Sequence, residues 1–261
     1  MAVIVVVPDP DTETGLSRIS AALVSSLRAV RGQVPAGDRI KVVEFADLRA
    51  RPEAAPTPEG LGLERAVLEG WWNAAVRTGQ ARGEAADTSA ALRATPHFAR
   101  QAKPPHSGAA QVRRYLTDRK YRHELRDRTQ ACISAETRVV VGHALGGLIA
   151  YESLCAVSDS VAVTLVTLGP ALCGPRVIFD RLEPPPRNNQ GEWPAAVRHW
   201  FNIVAHTDVT ALSRPQLTAR FGPGIEDLTI EPRAVTDSLS TYLLDRSTGL
   251  AVATGLSAEL R

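Results

Sequence analysis

Lysine is almost missing from this chain. It stands only at 41, 103 and 120, so 27 of the 30 basic residues are arginine. Set against 28 acidic residues, this leaves a net charge of +2. So balanced a chain carries no basic footprint for nucleic acid, and the arginine excess reads as coding bias rather than phosphate recognition. Cysteine is scarce as well. Cys132, Cys155 and Cys173 show neither paired nor metal-ligand spacing, which excludes a disulfide framework and points to a reducing compartment. No apolar run approaches the roughly 18 residues of a membrane span. The run in MAVIVVVPDP is shorter than that of a signal peptide and lacks a basic start, so a cytoplasmic protein is expected. No GxGxxG or GxxxxGK phosphate loop occurs, and no His/Cys/Asp/Glu cluster has metal spacing, so neither cofactor nor metal is expected.

What is present is the composition of a globular domain, 44% hydrophobic and 22% charged over 261 residues. Short aliphatic runs alternate with helical stretches. Ala2–Val7 is continuous aliphatic, as in a strand buried on both faces. Thr14–Arg31 places Leu16, Ile19, Leu23, Leu27 and Val30 at helical spacing. Strands follow at Arg39–Phe45, Arg138–Val141, Val161–Leu168, His199–Ala205 and Asp227–Ile230, with a helix over Gly146–Cys155. This alternation predicts an α/β fold with a mostly parallel sheet and helices on both faces. One interval breaks the rhythm. Residues 49–108 hold a Pro-rich stretch, a helix around Leu61–Val76 and a Gly/Ala-rich piece, an excursion long enough for a lid or cap. Its Trp71–Trp72 pair either packs in a core or lines an apolar pocket. A second Pro-rich loop, 183–194, is expected on the same face.

The segment TRVVVGHALGGLIAYESLC (137–155) runs a strand into Gly142-His143-Ala144-Leu145-Gly146-Gly147 and on into a helix. It has the frame of the nucleophile elbow, G-x-S-x-G, whose sharp turn throws the central side chain to the top of the sheet at the positive end of a helix. A bare GxAxG would be only a glycine-rich turn; the ordered strand, elbow and helix raise its meaning. Yet the central residue is Ala144, which has no oxygen to attack a carbonyl.

From about Val112 onward the chain resembles a bacterial α/β-hydrolase of the lipase/esterase-like group. The resemblance rests on VRRYLTDRKYR, the elbow segment, VTLVTLGPALCGPRVIFDRL, WPAAVRHWFNIVAHTDVTAL and TYLLDRSTGLAVATGL. It implies a single α/β-hydrolase-like three-layer sandwich over 1–261, with a lid-like insertion at about 49–108. It puts the nucleophile position at Ala144, the triad acid at Asp208 in HTDVTAL, and the histidine position at Asp237, five residues before Tyr242. Asp237 there leaves no base for a serine restored at 144. One oxyanion donor would be the backbone N–H of Leu145. The other would come from the loop after the first strand, which here reads Pro8-Asp9-Pro10-Asp11-Thr12. Its prolines have no N–H, and its acids oppose a developing oxyanion. Asp11 is expected to cap the following helix; Asp9 is left open between the oxyanion loop and solvent.

Other candidates are weaker. His143 precedes the nucleophile position and is expected to pack in the interior, away from the pocket. His206 is placed to reach the pocket rim as a lone acid or base. His97 and His106 are expected in solvent on the insertion, His123 on a charged helix face, His199 at the start of a strand, and Cys155 in the core. If Asp208 and Asp237 meet at the base of an apolar pocket, one of them should hold a proton near neutral pH.

Three functions follow. The first is a pseudo-hydrolase that keeps the fold and pocket and binds a small apolar or acyl-type ligand, or a protein partner. The second is a serine esterase or lipase acting on ester or thioester bonds, silenced by an engineered alanine at 144. The third is a non-hydrolytic enzyme, for example a cyclase, using the retained pocket. Three departures in three catalytic elements favour the first, and none of the readings involves nucleic acid or a membrane span.

Overall fold

The computed structural model describes residues 3–30, 32, 34–53, 55–157, 161–212, 216–231 and 238–258. Its centre is a six-stranded sheet of β1 (Ile4–Val7), β2 (Ile40–Val42), β3 (Val139–His143), β4 (Val163–Leu168), β5 (Val197–Ala205) and β6 (Ile225–Ile230). All neighbours pair in parallel, in the order β2-β1-β3-β4-β5-β6. The expected strands are therefore all present, with ends shifted by no more than three residues, and the sheet is wholly parallel rather than mostly so.

The aliphatic runs do what continuous runs in a parallel sheet must: they bury both faces. Val5, Val7, Val140 and Leu165 point into one core. There they meet α3 (Pro58–Arg77), α5 (Pro105–Thr117), α6 (Arg119–Cys132) and α7 (Leu145–Cys155), through residues such as Val67, Trp71, Tyr115, Leu125 and Leu148. Ile4, Val6, Val139, Val141 and Val166 point into the other core. Its cover is α1 (Leu16–Ala29), α10 (Ser238–Leu243) and α11 (Arg246–Ser257). Helices thus lie on both faces of the sheet, giving three layers. Short helices α2 (Ala46–Arg49), α4 (Thr88–Arg93), α8 (Arg176–Phe179) and α9 (Leu217–Phe221) fill the connections. No helix among the described residues is long and apolar enough to cross a membrane.

The 49–108 segment is anchored rather than draped. Thr57 caps α3, its Oγ1 accepting the Gly60 N–H at 3.1 Å, and Pro58 occupies the first turn. Leu63, Val67, Trp71 and Ala74 then bury one stripe of α3 in the core shared with the sheet. The cover helices are bolted together by a charge cluster. Glu152 on α7, fully buried, takes the Arg122 guanidinium from α6, the Tyr115 hydroxyl from α5 at 2.6 Å and the Glu183 N–H at 3.0 Å. Burial, and then the Glu152 charge, push the Tyr115 hydroxyl well above its ordinary pKa.

The helix cap expected of Asp11 is not formed. Helix α1 begins at Leu16 behind Gly15, which offers no side-chain cap, and the Asp11 carboxylate instead lies 3.3 Å from the Lys103 ammonium.

Candidate functional site

Strand order reverses between β1 and β3, and in open parallel sheets the crevice at such a point receives ligands at the carboxyl ends of the strands. Both flanking loops are unusual here. After β3 the chain turns through Ala144, whose φ of 50° and ψ of −120° are strained for a residue with a Cβ, and enters α7 at once. The turn is pinned by Ala144 donating its N–H to the Leu168 carbonyl at 3.0 Å and by its own carbonyl accepting from Ala171 at 3.0 Å. Gly146 permits this: a Cβ there would stand 2.2 Å from the Val7 carbonyl oxygen, so the helix could not lie against the end of β1.

After β1 the chain turns through Asp9. Its Oδ1 accepts the Asp11 N–H at 2.9 Å, and its Oδ2 accepts the N–H of Leu145 at 3.2 Å. The carboxylate of the loop therefore sits on the first free donor of α7, the group that follows the elbow. Burial pushes the Asp9 carboxyl up to about 6; its backbone bond from Asp11 resists, the Asp11 charge adds to the rise, and the bond from Leu145 and the Gln111 amide resist further.

Asp208 follows β5 and is buried. Its Oδ1 accepts from the N–H and hydroxyl of Thr210, at 3.1 and 2.6 Å, and its Oδ2 accepts from the Tyr242 hydroxyl at 2.7 Å. The Nδ1 of His97 stands 3.3 Å from Asp208 Oδ1, with the imidazole only 9% exposed. His97 is thus not in solvent, as a position in a polar insertion suggested. It is drawn inward by Asp208 and by an edge-on contact with Phe98, ring centroids 4.7 Å apart. Its Nε2 lies 2.6 Å from the Gln101 side-chain nitrogen.

These groups border one cavity of about 340 Å³. Ala144, Leu145, Asp9, Asp208 and His97 all line it, with Trp71, Phe98, Val112 and Ile178 supplying apolar wall. His143 borders it too, contrary to the expectation that it faces away, and its Nε2 lies 3.1 Å from the Ser238 hydroxyl. Trp71 reaches the cavity, whereas Trp72 donates its indole N–H to the Gly83 carbonyl at 3.3 Å and is not part of the lining. His206 does not reach this cavity: its Nδ1 pairs with Glu231 at 2.9 Å on the surface. His106 is exposed beside Ser89, His123 is exposed beside Asp127, and His199 is exposed. Cys155 is partly buried against the core. The loop 183–194 is held by Tyr151, which donates to the Glu192 carbonyl, and by the Arg220 carbonyl, which accepts the Gly191 N–H, and it contributes nothing to the lining. Asp237 lies outside the described residues. Among the described residues no group of three His, Cys, Asp or Glu side chains is placed to hold a metal.

The arrangement sets a methyl group and an occupied helix N-terminus on one side of an apolar chamber, and an imidazole backed by a buried carboxylate on another. Two of its contacts were not legible in sequence. His97 and Asp208 meet across 111 positions, and Asp9 and Leu145 across 136. No local spacing signals either; the one sequence hint was an acid in the loop that should hold an oxyanion donor.

No family model, curated protein or solved structure matches the chain. Function is therefore read from the chemistry of the cavity itself.

Proposed function

We propose that this chain is a hydrolase-like protein that does not hydrolyse esters and instead uses its cavity to bind a small apolar or acyl-type ligand. One observation carries the reading: the Leu145 N–H, aimed where an acyl oxygen would gain negative charge, is already bonded to the Asp9 carboxylate. Catalysis of acyl transfer needs donors that are free and preorganised for that charge. An anion in their place repels it, and the neighbouring Ala144 offers no nucleophile. Asp9 supports this reading over one in which a single engineered change at Ala144 silenced a complete esterase, because that change would leave the donor open. The apolar wall suits an alkyl or aryl group, and its few polar groups suit one oriented head. On this reading the 49–108 segment acts as a cap, through Trp71 and Phe98.

The test pairs two measurements on the unmodified chain. Hydrolysis of p-nitrophenyl butyrate should stay at the buffer rate, while octanoate and decanoate should bind saturably and be displaced by each other. Turnover of the ester above background would sink the reading. A chain that neither hydrolyses nor binds any of the three would leave the cavity without this role.

A further inference from the structure

We infer that the cavity takes a primary amine, its ammonium head on Asp9 and its alkyl or aryl body against Trp71, Phe98, Val112 and Ile178. The inference rests on the ligand-binding reading above and narrows its apolar ligand to one charge. The carboxylate that repels an acyl oxygen at Leu145 draws a cation to the same place.

The charges of the lining carry the inference. Four carboxylates border the cavity: Asp9, Asp11, Glu13 and Asp208. Three of them have a cationic or protonatable partner. Lys103 Nζ stands 3.3 Å from Asp11 and 3.8 Å from Glu13, and His97 Nδ1 stands 3.3 Å from Asp208. Asp9 has no such partner among the described residues; its bonds come from the N–H groups of Asp11 and Leu145. Pro8 and Pro10 are buried on either side of it, whereas Asp9 keeps part of its surface and borders the cavity. A carboxylate offers about four acceptor sites, and the two N–H groups with the nearby Gln111 amide use three. One is left for an ammonium, and a charge-assisted bond between apolar walls is stronger than the same bond in water.

Arg100 is the competing charge. It borders the cavity and pairs with no carboxylate among the described residues. It is exposed, however, so water screens it, while Asp9 is set within the chamber.

The pH dependence has a definite sign. Burial raises the Asp9 carboxyl to about 6, so its charge is present above that pH and lost below it. An ammonium should therefore bind more tightly as pH rises from 5 to 7.5. The other groups around Asp9 are Asp11, Glu13 and Lys103, joined in one ion-pair cluster, Tyr121, held up at about 12 mainly by burial, and His143 at the end of β3. Arg49 spends its guanidinium on the Asp11 and Thr12 carbonyls. His143 and His97 gain charge as pH falls and oppose a cation in the same direction, so a variant of Asp9 must separate their effect from its own.

Calorimetry on the full chain compares octylamine, 1-octanol and octanoate, which share a tail and differ in head. At pH 7.5 octylammonium should bind ~10–100-fold more tightly than octanol, the worth of one charge-assisted bond, and octanoate more weakly than either. At pH 5 the amine should lose ~10-fold, the fraction of Asp9 still ionised. Asp9→Asn keeps the size and one acceptor, and should remove both the preference for the amine and its pH dependence. A pH dependence that survives in Asp9→Asn would belong to the histidines and overturn the inference. So would octanoate binding as tightly as octylammonium at pH 7.5 and weakened by Arg100→Gln, which would assign the head to Arg100. Should Asp9→Asn fail to fold, carboxyl carbon-13 NMR of the unmodified chain still decides. At pH 6 octylamine should move the Asp9 signal toward its ionised position and octanol should not; a signal unmoved by saturating amine would overturn the inference. Octanoate binding with no preference for the amine leaves the ligand-binding reading standing and removes this one, whereas absence of all binding removes both.

Discussion

Asp9 and Leu145 face each other across the mouth of the crevice between β1 and β3, with the Asp9 Oδ2 accepting the Leu145 N–H at 3.2 Å. The bond joins two loops far apart in sequence, and burying the carboxyl there costs the fold something the bond only partly offsets, because burial pushes it up to about 6. The folded chain then holds the Asp9 proton more tightly than the unfolded chain does. Between about pH 4 and 6 the native state binds the extra proton, so this group's contribution to stability falls as pH rises through that window and stays low above it. Relative to Asp9→Asn, the unmodified protein should lose ~3 kcal/mol across the window, at 1.36 kcal/mol per unit. Urea unfolding of both proteins at pH 4 and pH 7 measures this directly; a difference that does not change with pH would refute it.

Ala144 keeps its φ of 50° although it carries a Cβ. Such strain costs on the order of 1–3 kcal/mol. Glycine removes it and returns about 0.5–1 kcal/mol through the greater freedom of the unfolded chain. Ala144→Gly should therefore stabilise the protein by ~1 kcal/mol, visible as a higher thermal midpoint. A lower midpoint would show that the turn is unstrained.

Gly146→Ala should do the opposite. Its Cβ would fall 2.2 Å from the Val7 carbonyl oxygen and 2.4 Å from that of Pro8, both backbone atoms of β1 and its loop. Helix α7 would have to leave the sheet, at a cost of ~3 kcal/mol. Soluble yield and melting temperature should both drop, and a variant as stable as its parent would contradict the close packing described.

Glu152 tests the covering layer. Removing it takes from buried Arg122 its buried carboxylate, leaving only the half-exposed Glu183 at 3.1 Å, and leaves the buried Tyr115 hydroxyl without its acceptor. Breaking a buried pair from one side costs ~3–5 kcal/mol. Glu152→Ala should accordingly lower the denaturation midpoint sharply, while Asp127→Ala, whose partner His123 is exposed, should shift it by less than ~0.5 kcal/mol.

Ligand entry should be seen by one indole of the adjacent pair. Trp71 lines the cavity and Trp72 does not. Decanoate should change the emission of the unmodified chain, Trp71→Phe should abolish the change, and Trp72→Phe should retain it. The reverse pattern would place the ligand elsewhere.

The sheet was legible because its strands are continuous aliphatic runs, and Ile4–Val7 and Val139–Val141 have no other use than burial on two faces. The elbow was legible because Gly142, Gly146 and Gly147 are needed wherever a helix packs this tightly behind a strand. His97 was not, because a histidine's partner is chosen by tertiary structure: nothing near position 97 announces a carboxylate after β5. His143 was misjudged for a related reason. The alternation along β3 sends its ring toward α10, where Tyr242 lies 5.7 Å away, yet the ring still borders the cavity beside Ser238. Asp11 failed as a cap because Lys103, brought in by the 49–108 segment, competes for it. Burial raises the carboxyl of Asp9 against two backbone bonds, a position no local signal marks, while the expected meeting of Asp208 with Asp237 lies outside the described residues.

The pairing of Ile4 with Val139 fixes an order of events during synthesis. Strand β1 leaves the ribosome ahead of β2 and finds it soon after, with Ile4 beside Ile40. Its other edge must wait for β3, which at ~5–20 residues per second is translated on the order of ten seconds later. Throughout that interval a ribbon of valines is open along one side, competent to pair with any other nascent strand. Expression at lowered temperature, or with holdase chaperones in excess, should therefore raise the soluble fraction more than any change at the cavity.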